Sequence, residues 1–518
     1  MRRGLLGSIA AVAAGVSTAW GQAPVPDPVG VPVGAPLGET VPAPSQPGPG
    51  VAGPNPVLMP PLTVGPPGDP LGLGPTATLG PPPGPMWPPP GPYTAPLFQP
   101  APPLPYGNGG YGSAPRFWFD GSYLLAFVTD QPIGFPLLTT SAPNQNGLLG
   151  LPSTLELIRG ENIKYSSISG FRLNGGIFGD ADKRFGFETG GIYTEQRSVT
   201  RRFSAVADDP FVSAGIPLFA RPFIDTTSGI SSLVISSPDL GPGEAYLSTS
   251  TQLWGAHAGG VWNLYRSAPG SKWSTFLDVS AGYRFLQLYE DFQFQSYTSF
   301  DRFRVIPVFQ RGPFGDLIQV GFRLLPLRQN IGGVTTESPA TVSIRDRFTA
   351  TNRFNGGYFA TQGSLRYGMF SLNLMSRVSI GNMHQVLEIH GATNFAQPSL
   401  PLNTIVPRNQ AGSAFGGLYA NATNIGKFDN DEFAVIPEFS VDLGINITRS
   451  VSMYVGYNFL YVNKVARPGN QLNPFIDSTT IPFSDNYGVL GRVPGRTRLF
   501  VQDDFWLHAA NFGMRIKY

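Results

Sequence analysis

Trp506-Leu507-His508-Ala509-Ala510-Asn511-Phe512-Gly513-Met514-Arg515-Ile516-Lys517-Tyr518 closes the chain, and alternate residues in it fall into two series. One runs Trp506, His508, Ala510, Phe512, Met514, Ile516, Tyr518. The other runs Leu507, Ala509, Asn511, Gly513, Arg515, Lys517. A strand has a side-chain period of two, so the first series makes an apolar face with aromatics near both ends, and the second a face that becomes polar and charged. Soluble proteins seldom leave a long unprotected strand at a terminus, because an unpaired edge invites aggregation. A barrel that closes its last strand on its first has no such edge. The expected role of Phe512, Met514, Ile516 and Tyr518 is therefore that of a C-terminal assembly strand, presented to the barrel-assembly machinery.

The bulk composition agrees. Charged residues make up 13% of 518, roughly half the usual globular share, while Gly (64) and Pro (53) are abundant. A conventional soluble enzyme needs more surface charge than this. A formal charge of +2 gives no reason to expect nucleic acid as a partner. The chain has no Cys, which excludes a disulfide framework, a thiolate metal site, a Cys nucleophile and a lipoprotein anchor.

Met1-Arg2-Arg3 followed by the apolar stretch 5–16 has the layout of a secretory signal peptide, too short to span a membrane. Small residues at Ala19-Trp20-Gly21 or Gly21-Gln22-Ala23 supply the cleavage site, Pro24 disfavours the second, and residues 1–23 are assigned to the signal. Residues 24–115 hold 31 of the 53 prolines. Runs such as Pro81-Pro82-Pro83 fix φ and remove backbone donors, so a disordered or polyproline-II linker is expected. It reads as a passive spacer, or as a tether to a periplasmic or wall component; it contains no lysine for a cationic wall contact.

Residues 116–518 change character. Ten alternating stretches follow: 117–128, 168–178, 185–195, 252–264, 275–288, 354–366, 370–380, 433–447, 451–462 and 506–518. Short polar turns alternate without exception with long connections of roughly 39 to 65 residues. Short turns on the periplasmic side and long loops outside are the mark of an up-and-down outer-membrane barrel. The expectation is an all-β transmembrane antiparallel barrel of ten strands, an even number within 10–12, with long extracellular loops and the Pro-rich segment before it, located in the outer membrane and in contact with its lipid. In the eighth stretch Val435, Pro437, Phe439, Val441, Leu443 and Ile445 face outward, against Glu438, Ser440, Asp442, Gly444 and Asn446 inside. The ninth sets Val451, Met453, Val455, Tyr457, Phe459 and Tyr461 outward, with Ser452, Gly456 and Asn458 inside. A charge on the lipid face costs about 2–4 kcal/mol at mid-membrane, so the absence of charge from these faces carries weight.

Several blocks resemble the putative beta-barrel porin-7 family of planctomycete-type bacteria. They include Arg184-Phe185-Gly186-Phe187-Glu188, Ala220-Arg221-Pro222-Phe223, Leu253-Trp254-Gly255-Ala256, Gly282-Tyr283-Arg284-Phe285-Leu286, Phe433-Ala434-Val435-Ile436-Pro437-Glu438, Gly456-Tyr457-Asn458-Phe459-Leu460-Tyr461, Arg467-Pro468-Gly469 and Asp504-Phe505-Trp506. The resemblance covers about four fifths of the chain and implies an outer-membrane barrel, without an established substrate. His257 departs from the family's carboxylate or amide, and Asn470 from the Asp after Arg-Pro-Gly.

Nine charges fall on the inward series: Arg172, Glu188, Asp278, Arg284, Arg377, Glu438, Asp442, Arg515 and Lys517. They either line a narrow polar path or pair with one another and block it. Barrels of about eight strands are filled by side chains, whereas 16–18 leave a channel, so ten favours pairing. The functional expectation is porin-like by resemblance, with at most a narrow passive path for small solutes. The alternative is a non-conducting structural or surface-interaction barrel whose loops bind a partner. A barrel hydrolase is the remaining reading, and His384 and His390, at the top of the seventh stretch near Ser379 and Glu388, are its candidates. No motif fixes such a site, so the expectation is no enzyme, no catalytic residue, no cofactor and no metal.

Overall fold

Strand alternation is sustained wherever one face of a strand meets a different medium from the other. A computed structural model describes residues 117–180, 182–205, 215–268, 273–301, 303–397, 410–484, 486–489 and 500–518. The signal peptide expected at 1–23 and the linker expected at 24–115 lie outside the described residues. The long strands are β1 (Phe117–Val128), β2 (Ile168–Phe178), β3 (Phe185–Thr194), β4 (Gly243–Arg266), β5 (Trp273–Phe300), β6 (Ala340–Tyr367), β7 (Phe370–Gln397), β8 (Gly426–Asn446), β9 (Val451–Ala466) and β10 (Gln502–Lys517). Each pairs antiparallel with its neighbour in sequence, and β10 pairs back to β1, from Trp118 opposite Lys517 to Val128 opposite Leu507. With the shorter strands Arg197–Ala205 beside β4 and Gln410–Phe415 beside β7, they form one twelve-stranded, barrel-like sheet.

The short-turn ends of the strands fall where the alternation places them. The other ends do so only in β1, β2 and β3. β4 to β8 run far past the expected limits, with β5 and β6 paired from Trp273 opposite Tyr367 to Phe300 opposite Ala340. At 28 residues each and about 3.3 Å per residue, these strands are about 90 Å long, several times a span of hydrocarbon. His384 and His390, expected at the top of a strand, accordingly lie inside β7.

The extension follows from a change of sign in the pattern. Near the short turns the outward face is apolar and rich in exposed aromatics, from Phe117, Phe185, Trp273 and Phe370 at the turn end, through Tyr123, Phe171, Phe359 and Phe439, to Phe127, Tyr193, Trp254 and Phe433 further up. An apolar, aromatic-rich outward face of this height is what a lipid-facing belt requires. Beyond Phe433 the outward series becomes Asp431, Asn382, His384, Arg353 and Gln287, while Phe292, Phe294, Phe348, Leu387 and Ile389 turn inward and are fully buried. The lower part is apolar outside and charged inside; the upper part is an ordinary core with a polar exterior.

The long connections build onto that upper core. Strands Leu138–Thr140, Leu155–Ile158, Phe219–Asp225, Gly229–Ser236 and Phe475–Ile476 form a five-stranded sheet drawn from three separate connections. Its Leu138, Ile158, Phe219, Phe223, Leu233 and Ile476 share one apolar cluster with Phe292, Phe294 and Phe348 of the long strands. A separate hairpin, Phe303–Arg311 with Leu317–Pro326, leaves Phe314, Phe322 and Leu324 exposed. Within the long sheet, Gly282 faces Gly259, and a side chain at Gly282 would run into the Ala258 carbonyl and the Gly259 backbone. Only Gly permits that approach.

Candidate functional site: the enclosed charge cluster

The inward residues of the lower tier meet across the sheet's interior. Glu438 on β8 accepts from Arg284 on β5 at 2.7 Å and from Arg377 on β7 at 3.3 Å. Asp120 on β1 receives Arg515 Nε at 2.8 Å and Nη2 at 2.7 Å, and the Tyr454 hydroxyl at 2.6 Å. Asp442 accepts from Asn511 at 2.8 Å and lies 3.8 Å from Arg515 and 4.0 Å from Arg172. Glu188 on β3 accepts from the Tyr358 hydroxyl on β6 at 2.8 Å. All these charged side chains are buried. Arg377–Glu438 and Asp120–Arg515 join neighbouring strands, whereas Arg284–Glu438, Glu188–Tyr358 and Arg172–Asp442 join strands three or four places apart in the pairing order, across the inner face of the sheet.

The charges balance: Arg172, Arg284, Arg377 and Arg515 stand against Asp120, Glu188, Glu438 and Asp442. Removing an ion from water costs several kcal/mol unless partners and hydrogen bonds repay it. Ring faces add to the repayment, with Arg377 5.0 Å from the Tyr358 ring and Arg515 5.4 Å from that of Tyr454. The space left among these side chains is a cavity of about 50 Å³, room for little more than water.

Of the nine charges expected to face inward, Arg172, Glu188, Arg284, Arg377, Glu438, Asp442 and Arg515 lie buried in the contacts above. Asp278 is buried against Asn263. Lys517, half-buried, sits at the turn end with its ammonium 5.6 Å from the Phe276 ring. Phe512, Met514 and Tyr518 point outward and exposed on β10 or just after it, with Ile516 half-exposed on the same face. Parity alone did not single out Asp120, His257, Tyr358 and Tyr454. His257, the family departure, holds Arg377 through Nε2 at 3.0 Å; Asn470 donates to Asp503 at 3.2 Å.

Above the charges lies an apolar layer made by the inward faces of the same strands: Leu286, Phe354, Ile436, Leu460, Phe505 and Leu507, all essentially inaccessible. Above that, two more arginines arrive from the connections. Arg467 grips Glu290 of β5 at 2.9 and 2.7 Å and donates to the Thr129 carbonyl at 3.3 Å. Arg221 pairs with Asp346 of β6, its guanidinium 4.6 Å from Phe294 and 5.0 Å from Tyr419. Both pairs are fully buried. Their signal in the sequence was the pair of blocks Ala220-Arg221-Pro222-Phe223 and Arg467-Pro468-Gly469, which lie outside every alternating stretch.

The histidines considered for hydrolysis do not meet a nucleophile. His384 Nδ1 is 3.0 Å from Asp431 on the outer face, whereas Ser379 is buried on the inner face against Arg284. An odd separation along one strand puts the two on opposite sides of the sheet.

No curated protein matches the chain. Among solved structures, the outer-membrane protease OmpT of Escherichia coli is similar at 10% identity and a TM-score of 0.30, over 78% of this chain and 96% of that one. The CymD monoaromatic hydrocarbon channel follows at 6% and 0.17, over 78% and 89%. The P. putida toluene transporter TodX is at 7% and 0.14, over 78% and 90%. Likenesses this slight carry no argument about activity. Residues 116–308 and 298–518 match the putative beta barrel porin-7 family, so the chain belongs to that family: an outer-membrane β-barrel protein, and not an enzyme.

Proposed function

We propose that the ten long strands close into a transmembrane barrel that does not conduct, and that it serves as a structural or surface-interaction barrel carrying the upper tier outside the cell. The observation that carries this reading is the continuous filling of the interior: balanced charges, then the apolar layer, then the Arg467–Glu290 and Arg221–Asp346 pairs. In this reading Arg172, Glu188, Asp278, Arg284, Arg377, Glu438, Asp442, Arg515 and Lys517 face the lumen, and the contacts among Arg172, Glu188, Arg284, Arg377, Glu438, Asp442 and Arg515 tie it shut. Short turns lie in the periplasm, residues 1–23 are removed on export, and residues 24–115 serve as a spacer in the periplasm or as a wall contact. The barrel-assembly machinery takes up β10 through Phe512, Met514, Ile516 and Tyr518.

The test is a planar-bilayer recording of the refolded chain. Silence is expected, and steady unit steps would overturn the proposal in favour of a narrow passive path for small solutes. That second reading draws support from the polar lining of the lower tier and from the family's name.

A further inference from the structure

At the short-turn end the interior opens into a second cavity, of about 330 Å³. That lies within the size range of small-molecule sites, roughly 300–1,000 Å³. Its wall carries Arg266, Arg366, Arg449, Arg515 and Lys517 against only Glu188 and Asp278. Arg515 is already committed to Asp120, and Glu188 to the Tyr358 hydroxyl. Among the described residues, Arg266, Arg366, Arg449 and Lys517 enter no ion pair. The Asp278 carboxylate, held by Asn263, is the remaining counter-charge.

The cluster is also built rather than merely crowded. Arg266 and Lys517 lie over the two faces available from Phe178 and Phe276, at 5.6 to 5.8 Å. Buried Arg266 Nε has no hydrogen-bond partner. Arg366 spends its Nε on the Gly368 carbonyl at 3.3 Å, which leaves its terminal nitrogens free to turn to the cavity. The contrast with the tier above is the decisive point. There each arginine is matched by a carboxylate; here three strands and the turn that holds Arg449 gather four cations around a space and leave one uncommitted acid. Like charges around a partly enclosed space repel, and an anion with several acceptor oxygens removes that repulsion while satisfying the guanidinium donors.

We infer that this mouth is a binding site for a phosphate-bearing anion, with Arg266, Arg366, Arg449 and Lys517 as its donors. Two sources carry that chemistry: a soluble phosphorylated molecule on the short-turn side, or the headgroup of an anionic lipid. The inference does not depend on whether the barrel conducts.

The experiment is calorimetric titration of the chain in a neutral detergent at low salt, with pyrophosphate and, separately, with short-chain phosphatidylglycerol and phosphatidylcholine. Saturable one-to-one binding of pyrophosphate identifies a soluble anion; saturation by phosphatidylglycerol alone identifies the headgroup. Either supports the site, provided that Arg366→Gln with Lys517→Gln weakens it about tenfold or more, as loss of charged hydrogen bonds requires. Arg366→Lys should retain most of it, and Arg159→Gln, distant and exposed, all of it. Should the double variant fail to fold, Arg449→Gln in an exposed turn gives the same readout. No saturable uptake of any probe, equal uptake of phosphatidylcholine, or unchanged binding by the charge variants would overturn the site.

Discussion

Glu438 lies between two buried arginines, and neither has another carboxylate in ion-pair reach. Taking away one partner of a buried pair strands the other, which costs about 3–5 kcal/mol. Glu438→Ala should lose about that much stability in urea unfolding from micelles; a loss below about 1 kcal/mol would mean that the arginines find other partners. Asp225 makes a prediction of a different kind. It lies in the upper tier, and burial works against its charge. The Thr227 N–H, the Ser478 N–H and the Ser228 N–H outweigh that and hold its carboxyl down at about 2. A depressed carboxylate stabilises the fold above its ordinary value near 4 and loses that contribution as pH falls towards 2. The strap between Asp225 and Ser478 should therefore loosen between about pH 4 and 2, seen as faster amide exchange at Thr227, Ser228 and Ser478. Exchange as slow in Asp225→Asn at pH 7 as in the native chain would count against this. At this scale parity placed nine charges inside, while their partners were beyond reach. Asp120 and Arg515 sit 395 positions apart.

The strands were legible at one end and not at the other. β1 and β2 begin and end where alternation puts them, and β7 and β9 start at Phe370 and Val451 as expected. Alternation there separates lipid from an interior of charges, so hydropathy changes sign at every step. In β5 the sequence Phe292-Gln293-Phe294-Gln295 still alternates, but with the apolar residues inward. Read with the lower tier's polarity, that inversion looks like the end of a strand; in the transmembrane reading proposed above it is the point where the outer medium changes from hydrocarbon to water. Substitutions on the two tiers separate these media. Val455→Arg, on the exposed apolar face of the lower tier, should cost about 2–4 kcal/mol in unfolding from vesicles. Gln293→Arg, on the outward series of the upper tier, should change stability by about 0.5 kcal/mol or less. Equal costs at the two positions would remove the distinction between the tiers.

For the whole molecule, a barrel that does not conduct, as proposed, needs a seal. Long connections could have been mobile loops around an open mouth; instead three of them pool strands into a small sheet that shares the apolar core of the long strands. Two buried ion pairs fasten that assembly to β5 and β6. Arg467→Ala leaves Glu290 without its partner and releases the Thr129 carbonyl. In planar bilayers this variant should show intermittent conductance steps where the native chain is expected to be silent. A variant as quiet as the native chain would place the seal in the apolar layer of Phe354, Phe505 and Leu507 instead.

From sequence alone came the all-β barrel-like fold, its outer-membrane place and the short-turn ends of the strands, because alternation against hydrocarbon is a local property written every second residue. The tertiary structure alone settled which charges neutralise one another, how far the strands rise beyond the belt and what the connections become. Those depend on residues hundreds of positions apart meeting inside one enclosure, and on a change of solvent along a single strand that leaves its period untouched.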